Sequence, residues 1–294
     1  MPSIKDAEHS RRVGSLLEIH LAVFLFGFPG LFGKWLALAP QVIVFGRVVF
    51  AALTLALVVL ASRGSLRVAS ARDMRLLIIC GLILSAHWTM FFRSVQVSTV
   101  AVALLSYSSF PVFTAFLEPL ALKERWDPWS LALALFAAAG VFMIVPPSGL
   151  ASPAFLGVAW GLGAGLTFSV LSLVNRRLAR ANSSLTVAFY QDAFAAAFLL
   201  PFALLAGPRI GARDIGLLVL LGVLGTAAAH TLFIDGLRRV PARTASVISS
   251  LEPVYGIFLA FVFLKESPSL RTLSGGVLIL AATIIATIRA RQPS

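Results

Sequence analysis

"FPVFTAFLEPLALKE" (Phe110–Glu124) is followed 142 residues later by "EPVYGIFLAFVFLKE" (Glu252–Glu266). Seven of the fifteen positions are identical without a gap, among them a proline in second place and the closing Leu-Lys-Glu. Both stretches read as apolar helices ending in a charged pair, so the chain writes one helix twice. Further pairs hold the same offset: Phe26 with Phe168, and Lys34 with Arg176. After a one-residue slip, "AHWTMFFRSV" (Ala86–Val95) aligns with "AHTLFIDGLR" (Ala229–Arg238), setting His87 against His230. The matches run in order and divide the chain into two copies, residues 1–152 and 153–294.

Composition defines the solvent these copies expect. Hydrophobic residues make up 59% of the 294 and charged residues 12%, against about 25% charged in a typical soluble domain. Mean hydropathy is +0.94. The net charge of +12 would suit nucleic acid. The basic residues, however, stand at the edges of apolar runs rather than on a polar face with interleaved aromatics. A single cysteine, Cys80, excludes an internal disulfide and a cysteine metal cluster. The first ten residues are polar and the apolar run behind them is long enough to span, so no cleavable signal peptide is expected.

Crossing ~30 Å of hydrocarbon takes about 20 mainly apolar residues. Such runs predict helices near 16–38, 42–61, 76–95, 98–121, 129–146, 154–174, 186–206, 214–236, 243–263 and 268–288. The expected fold is therefore an all-α polytopic membrane protein of ten transmembrane helices. Basic residues favour alternate connections by about three to one: Arg63, Arg67, Arg72 and Arg75 crowd one, while Lys34, Arg93, Lys265 and Arg271 are scattered over the opposite side. Both termini are then cytoplasmic. Five spans per copy is an odd number, so the second copy enters from the other face. Two inverted five-helix repeats are the design of secondary transporters, with a solute site near the midplane where the halves meet.

An ionisable group in the bilayer costs ~2.5–3.5 kcal/mol on insertion scales, which makes each one a functional candidate. His87 and Trp88 in the third span, Tyr107 in the fourth, His230 in the eighth, and Glu252 and Tyr255 in the ninth converge on the repeat axis if the halves pack face to face. They are the expected substrate-binding residues, with Trp160 of the sixth span added for its aromatic face. Each has a plainer reading: a histidine can bond a neighbouring helix's carbonyl, and Trp160 can belong to the interfacial aromatic belt, as Trp126 and Trp129 do. Arg47 is expected to snorkel to the outer surface. Glu118 and Glu124, close to Lys123 and Arg125, are expected to be paired or solvated, and so is Asp235 beside Arg238 and Arg239. Gln191 and Asp192 either line the pathway or bond another helix.

Pro29, Pro111, Pro119, Pro201 and Pro253 fall within spans, where proline bends a helix by removing a donor. Pro111 and Pro253 match across the copies and place two bends symmetrically, as gating hinges or as fixed curvature. Gly157, Gly161 and Gly165 form a smooth stripe for close helix approach within the bundle.

Enzyme chemistry finds no support. "FPGLFGKW" lacks the first glycine of a phosphate-binding loop, and Trp35 stands where Ser or Thr is required. There is no GxSxG elbow, no HExxH and no Cys/His metal spacing. Ser85 and His87 lie about 200° apart round a helix and cannot pair. No metal and no cofactor are expected.

"FGFPGLFGKW" (Phe26–Trp35), Arg47, "SFPVFTAFLEPLALKE" and "LEPVYGIFLAFVFLKE" together resemble the EamA-type drug/metabolite transporters, over the whole chain. Within that superfamily it resembles the aromatic amino-acid exporters of the YddG type. The resemblance implies a bacterial inner-membrane carrier of small metabolites, with a central cavity lined by both halves and the fifth and tenth spans at the periphery. The expected function is export of small metabolites, amino acids including aromatic ones foremost, by alternating access. A multidrug or other metabolite carrier, or a channel-like facilitator, is the alternative. The expected partners are the solute and the lipid bilayer, with no nucleic acid.

Overall fold

The computed structural model describes residues 4–122, 128–144, 152–178, 181–205, 210–237, 248–249 and 251–289. Lys123, Glu124, Arg125, Trp126, Arg238 and Arg239 lie outside them, as do the side chains of Pro111, Glu118 and Asp235. Every element is helical, and no strand occurs among the described residues. In chain order they are α1 (Ile4–Phe26), α2 (Pro29–Trp35), α3 (Pro40–Ala61), α4 (Ala71–Val97), α5 (Val100–Tyr107), α6 (Phe110–Leu122) and α7 (Pro128–Ile144). Then follow α8 (Pro153–Leu178), α9 (Ser184–Leu205), α10 (Ala212–Gly222), a π-helical segment (Val223–Ala228), α11 (Ala229–Leu237), α12 (Glu252–Leu264) and α13 (Leu270–Arg289).

Among the described residues six stretches are long and apolar enough to cross a membrane: Leu16–Trp35, Pro40–Ala61, Ala71–Val97, Pro153–Asn175, Ser184–Leu205 and Ala212–Phe233. Shorter apolar helices stand where the other expected spans fall. In lipid every backbone group must find its partner inside the protein, and the helix starts show how. Ser70 caps α4 by accepting from Asp73 N at 3.1 Å, and Thr99 caps α5 by accepting from Val102 N at 3.1 Å.

Three of the five span prolines do not bend a continuous helix. Pro29 and Pro253 occupy the first turn of α2 and α12, and Pro111 is the second residue of α6. There the missing N–H costs nothing, because the first four donors of a helix have no intrahelical acceptor. The corresponding spans are broken rods: the chain interrupts at Gly27–Phe28 and again at Ser108–Ser109. Carbonyls released at the second break are taken up at once. Ser109 Oγ donates to Ser106 O at 2.6 Å, Thr283 Oγ1 to Ser108 O at 3.1 Å, and Ser169 Oγ to Phe110 O at 2.6 Å. Pro119 and Pro201 do lie inside helices, α6 and α9.

Without a hydrophobic drive between helices, packing and hydrogen bonds set the arrangement. The longest neighbours are α4 with α8, α3 with α9, α4 with α9, α1 with α11, and α7 with α13. The glycine stripe of α8 works within the bundle. A Cβ at Gly161 would meet Ser106 Cβ at 2.6 Å and one at Gly165 would meet Tyr107 O at 3.0 Å, while Ser98 fills the place beside Gly157. The closeness lets Ser94 Oγ donate to Gly157 O at 2.6 Å.

Contacts also give the polarity of each pair. Along α4 and α8, Ser94 meets Gly157, Met90 meets Gly163 and His87 meets Ala164, so these helices are antiparallel. Arg271 Nε donates to Met143 O at 2.7 Å while Gly140 faces Ile279, so α7 and α13 are antiparallel as well. The start of α5 meets the end of α12, where Val100 N donates to Glu266 Oε2 at 2.9 Å, and Leu104 covers Gly256. Large apolar side chains left outside, such as Leu57, Leu60, Phe142, Leu205 and Phe258, form the surface a bilayer covers.

Candidate functional site

Arg47 is the largest fully buried side chain in the described structure, with 1% of its surface exposed. It does not snorkel. Its position, about 10 Å along α3 from Pro40 at 1.5 Å per residue, puts the guanidinium against the π segment and α4. Nε donates to Thr226 Oγ1 at 2.7 Å and Nη2 to Gly225 O at 3.3 Å, both within the π segment. Its flat face lies over the Trp88 ring with Cζ 3.4 Å from the centroid. A cation on an indole face gains about 2 kcal/mol or more once desolvated. The π segment matters because its wider turn releases carbonyls that an α-helix would keep.

Gly222 is what allows this approach. A Cβ there would stand 2.7 Å from Arg47 O and 2.7 Å from Phe50 Cβ, so α10 lies directly on the α3 backbone. Beyond the guanidinium, Asp192 of α9 and Glu252 of α12 are close enough for their charges to act on it. Asp192 is 4% exposed and Glu252 partly buried at the first position of its helix, where the dipole favours a carboxylate. Neither carboxylate pairs with Arg47: the one ion pair within 4.0 Å among the described residues is Lys34–Glu266.

Three expected residues meet beside this centre. His87, Trp88 and Tyr107 form an aromatic cluster with Phe168, with His87 at 4.9 Å from Trp88, 5.6 Å from Tyr107 and 5.4 Å from Phe168. His87 Nδ1–H donates to Ala164 O at 2.9 Å, so the neighbouring helix's carbonyl holds this nitrogen and fixes the tautomer. Tyr107 stacks on Phe110 at 5.5 Å.

The second group gathers on α1. His230 lies 5.4 Å from Phe26, and Tyr255 lies 5.7 Å from Phe24 with its hydroxyl 3.4 Å from His20 Nδ1. Glu252 opens α12 one turn before Tyr255, and its charge reaches Arg47 and Tyr107. Trp160 stands apart, 39% exposed on α8, and Trp129 is exposed at the start of α7. Gln191 bonds Asn175 of α8, which ties α9 to its neighbour, while the charge of Asp192 at the next position reaches Arg47.

A latch closes one end of the bundle. Lys34 Nζ stands 3.6 Å from Glu266 Oε1 and donates to Ser98 O at 2.5 Å, while Glu266 Oε2 accepts from Val100 N at 2.9 Å. Three separate segments meet there: α2, the turn between α4 and α5, and the end of α12.

Sequence reasoning missed Arg47, Gly225, Thr226 and Gly222. The signal for Arg47 was present: a lone arginine inside an apolar run is a functional candidate by default. The others carry no charge, and their role exists only where two helices touch.

Residues 14–145 and 155–288 each match the EamA-like transporter family. The uncharacterized transporter YxxF of Bacillus subtilis is 26% identical over 294 residues, covering 98% of this chain and 93% of that protein. An uncharacterized transporter of Archaeoglobus fulgidus is 28% identical over 198 residues, 67% of this chain and 70% of its own. The S-adenosylmethionine uptake transporter of Rickettsia prowazekii is 26% identical over 208 residues, 69% of this chain and 68% of its own. A protein crystal structure superposes with a TM-score of 0.64 at 20% identity, over 96% of this chain and 100% of that one, and so shares the fold. Two family matches spanning nearly the whole chain, on an all-helical membrane bundle, settle the matter: the chain belongs to the EamA-like transporter family and is a multi-pass membrane transporter, not an enzyme.

Proposed function

We propose that this transporter exports small metabolites, amino acids including aromatic ones foremost, by alternating access between two inverted five-helix repeats, residues 1–152 and 153–294. Both termini face the cytoplasm of a bacterial cell, and the latched end is the outer one. The observation that carries this reading is the pattern of neighbours. Exchanging each span for its counterpart five spans on turns α4 against α8 into α11 against α1, and α4 against α9 into α10 against α3. The α3–α9, α5–α12 and α7–α13 pairs map onto themselves. Two such halves can trade conformations of nearly equal energy, which is what alternating access requires.

The solute meets the protein around Arg47. Glu252 and Asp192 receive its ammonium, and Tyr107 and Phe168 offer aromatic surface beside the Trp88 ring that Arg47 covers. His87 holds that cluster in place, and His230 and Tyr255 line the α1 side. Pro111 and Pro253, each opening a half-helix, serve as matched hinges. A relative named for S-adenosylmethionine uptake supports an amino-acid-like solute, since that molecule carries an intact α-amino acid.

The latch gives the test. With Cys80 replaced by alanine, cysteines at Lys34 and Glu266 joined by a short bifunctional thiol reagent should stop exchange in proteoliposomes, and reduction should restore it. Undiminished exchange through a bridged outer end would rule out alternating access.

A further inference from the structure

We infer that the outer edge of the Arg47 guanidinium is a carboxylate-binding subsite, where the solute places its anionic group while its cationic group turns to Asp192 and Glu252. The inference rests on the carrier reading and adds the residue that recognises the acid.

A guanidinium carries five N–H donors in a rigid fork. Nε–H and one Nη2–H are engaged by Thr226 and Gly225, which leaves both Nη1 hydrogens and the second on Nη2. Nη1 is buried and has no partner in the described structure. A buried donor without a partner is rare and costly, so it calls for an explanation. Trp88 lies on one flat face, so the unpartnered donors of the guanidinium stand along its Nη1–Nη2 edge. That edge has the spacing of a carboxylate, which it can hold through two parallel hydrogen bonds.

The surrounding charges sharpen the class. An arginine kept only for structure would take a carboxylate of its own, yet Asp192 and Glu252 act on it from a distance and stay outside 4.0 Å. A doubly charged phosphate would crowd negative charge against these two acids. A carboxylate that brings its own ammonium or sulfonium adds none in net, and charge left uncompensated at this depth is expensive. The fitting solute is therefore zwitterionic or carries net positive charge, with one carboxylate.

The test uses the full chain in nanodiscs and reads binding from the thermal midpoint on titration. L-phenylalanine and L-lysine are compared with their methyl esters, and phenylalanine with 3-phenylpropionate, which lacks the ammonium. Expected is binding of at least one amino acid that weakens about ten- to a hundred-fold in its ester, the loss of one charge-assisted bidentate contact, and weaker binding of 3-phenylpropionate. Arg47→Gln should bind acid and ester alike, while Arg47→Lys keeps a reduced preference for the acid. Equal binding of acid and ester by the unmodified protein, no binding of either amino acid, or a preference that survives Arg47→Gln would overturn the subsite. The unmodified protein decides the point even where a variant does not fold. Solute exchange is read separately: exchange without discrimination removes the subsite and keeps the carrier, and discrimination without exchange does the reverse.

Discussion

Gly222→Val should unfold the protein at a markedly lower temperature and abolish transport in the same step. The added Cβ would fall 2.7 Å from both Arg47 O and Phe50 Cβ, and 3.1 Å from Ala51 N. Carbon atoms at rest sit ~3.5–4.0 Å apart. Two of the three obstacles are backbone atoms, which cannot swing aside as a side-chain tip can, so α10 must retreat from α3 by roughly 1 Å. Overpacking of this kind costs about 1–3 kcal/mol in well-packed cores, and the backbone clash places Gly222 at the upper end. The same retreat pulls Thr226 and Gly225, one turn further on, away from the guanidinium they hold at 2.7 and 3.3 Å. Gly216→Val is the control: it lies on the same helix, and nothing stands within 4 Å of its Cβ position. Its melting temperature and transport should match the parent. A Gly222→Val protein that melts with the parent would show that the α3–α10 contact does not hold the site together.

Arg47→Met separates stability from function. Replacing a buried arginine together with the acids around it by uncharged chains is often neutral or stabilising by about 1–4 kcal/mol, whereas removing the arginine alone strands those acids and costs about 3–5 kcal/mol. Methionine also keeps contact with the Trp88 ring that the guanidinium now covers. The melting temperature should therefore fall with Arg47→Met alone and recover when Asp192→Asn and Glu252→Gln accompany it, while transport falls about a hundred-fold or more in both as the buried cation near these acids is lost. Arg47→Ala should lose stability as well, since it leaves a cavity beside Trp88. Parent-like transport by Arg47→Met would make the arginine a packing residue and move the solute site elsewhere.

The helical class and the membrane setting were legible because hydropathy over ~20 residues is a strong, local signal. The glycine stripe of α8 was legible for a similar reason: small residues every fourth position have one economical use in lipid. Depth was misread at Arg47. Counting residues to the nearest surface suggests a side chain that can snorkel, but Gly222 brings α10 so close that the outward path is closed and Thr226 and Trp88 take the guanidinium instead. The prolines were located correctly but assigned to bends, whereas Pro29, Pro111 and Pro253 open new helices after a break. A break depends on side chains elsewhere that donate to the released backbone carbonyls, here Ser169 and Thr283, and those lie 59 and 175 residues away in sequence. The π segment left no trace in the pattern, since "VLGTAA" (Val223–Ala228) reads as ordinary apolar helix.

Counterflow tests the carrier most directly. Proteoliposomes loaded with an unlabelled amino acid and diluted into a trace of the same labelled compound should accumulate label above its outside concentration and then lose it, with a rate that saturates. That overshoot arises only when one site faces the two sides in turn. Entry that rises in proportion to concentration and never overshoots would contradict a carrier and point to a pore.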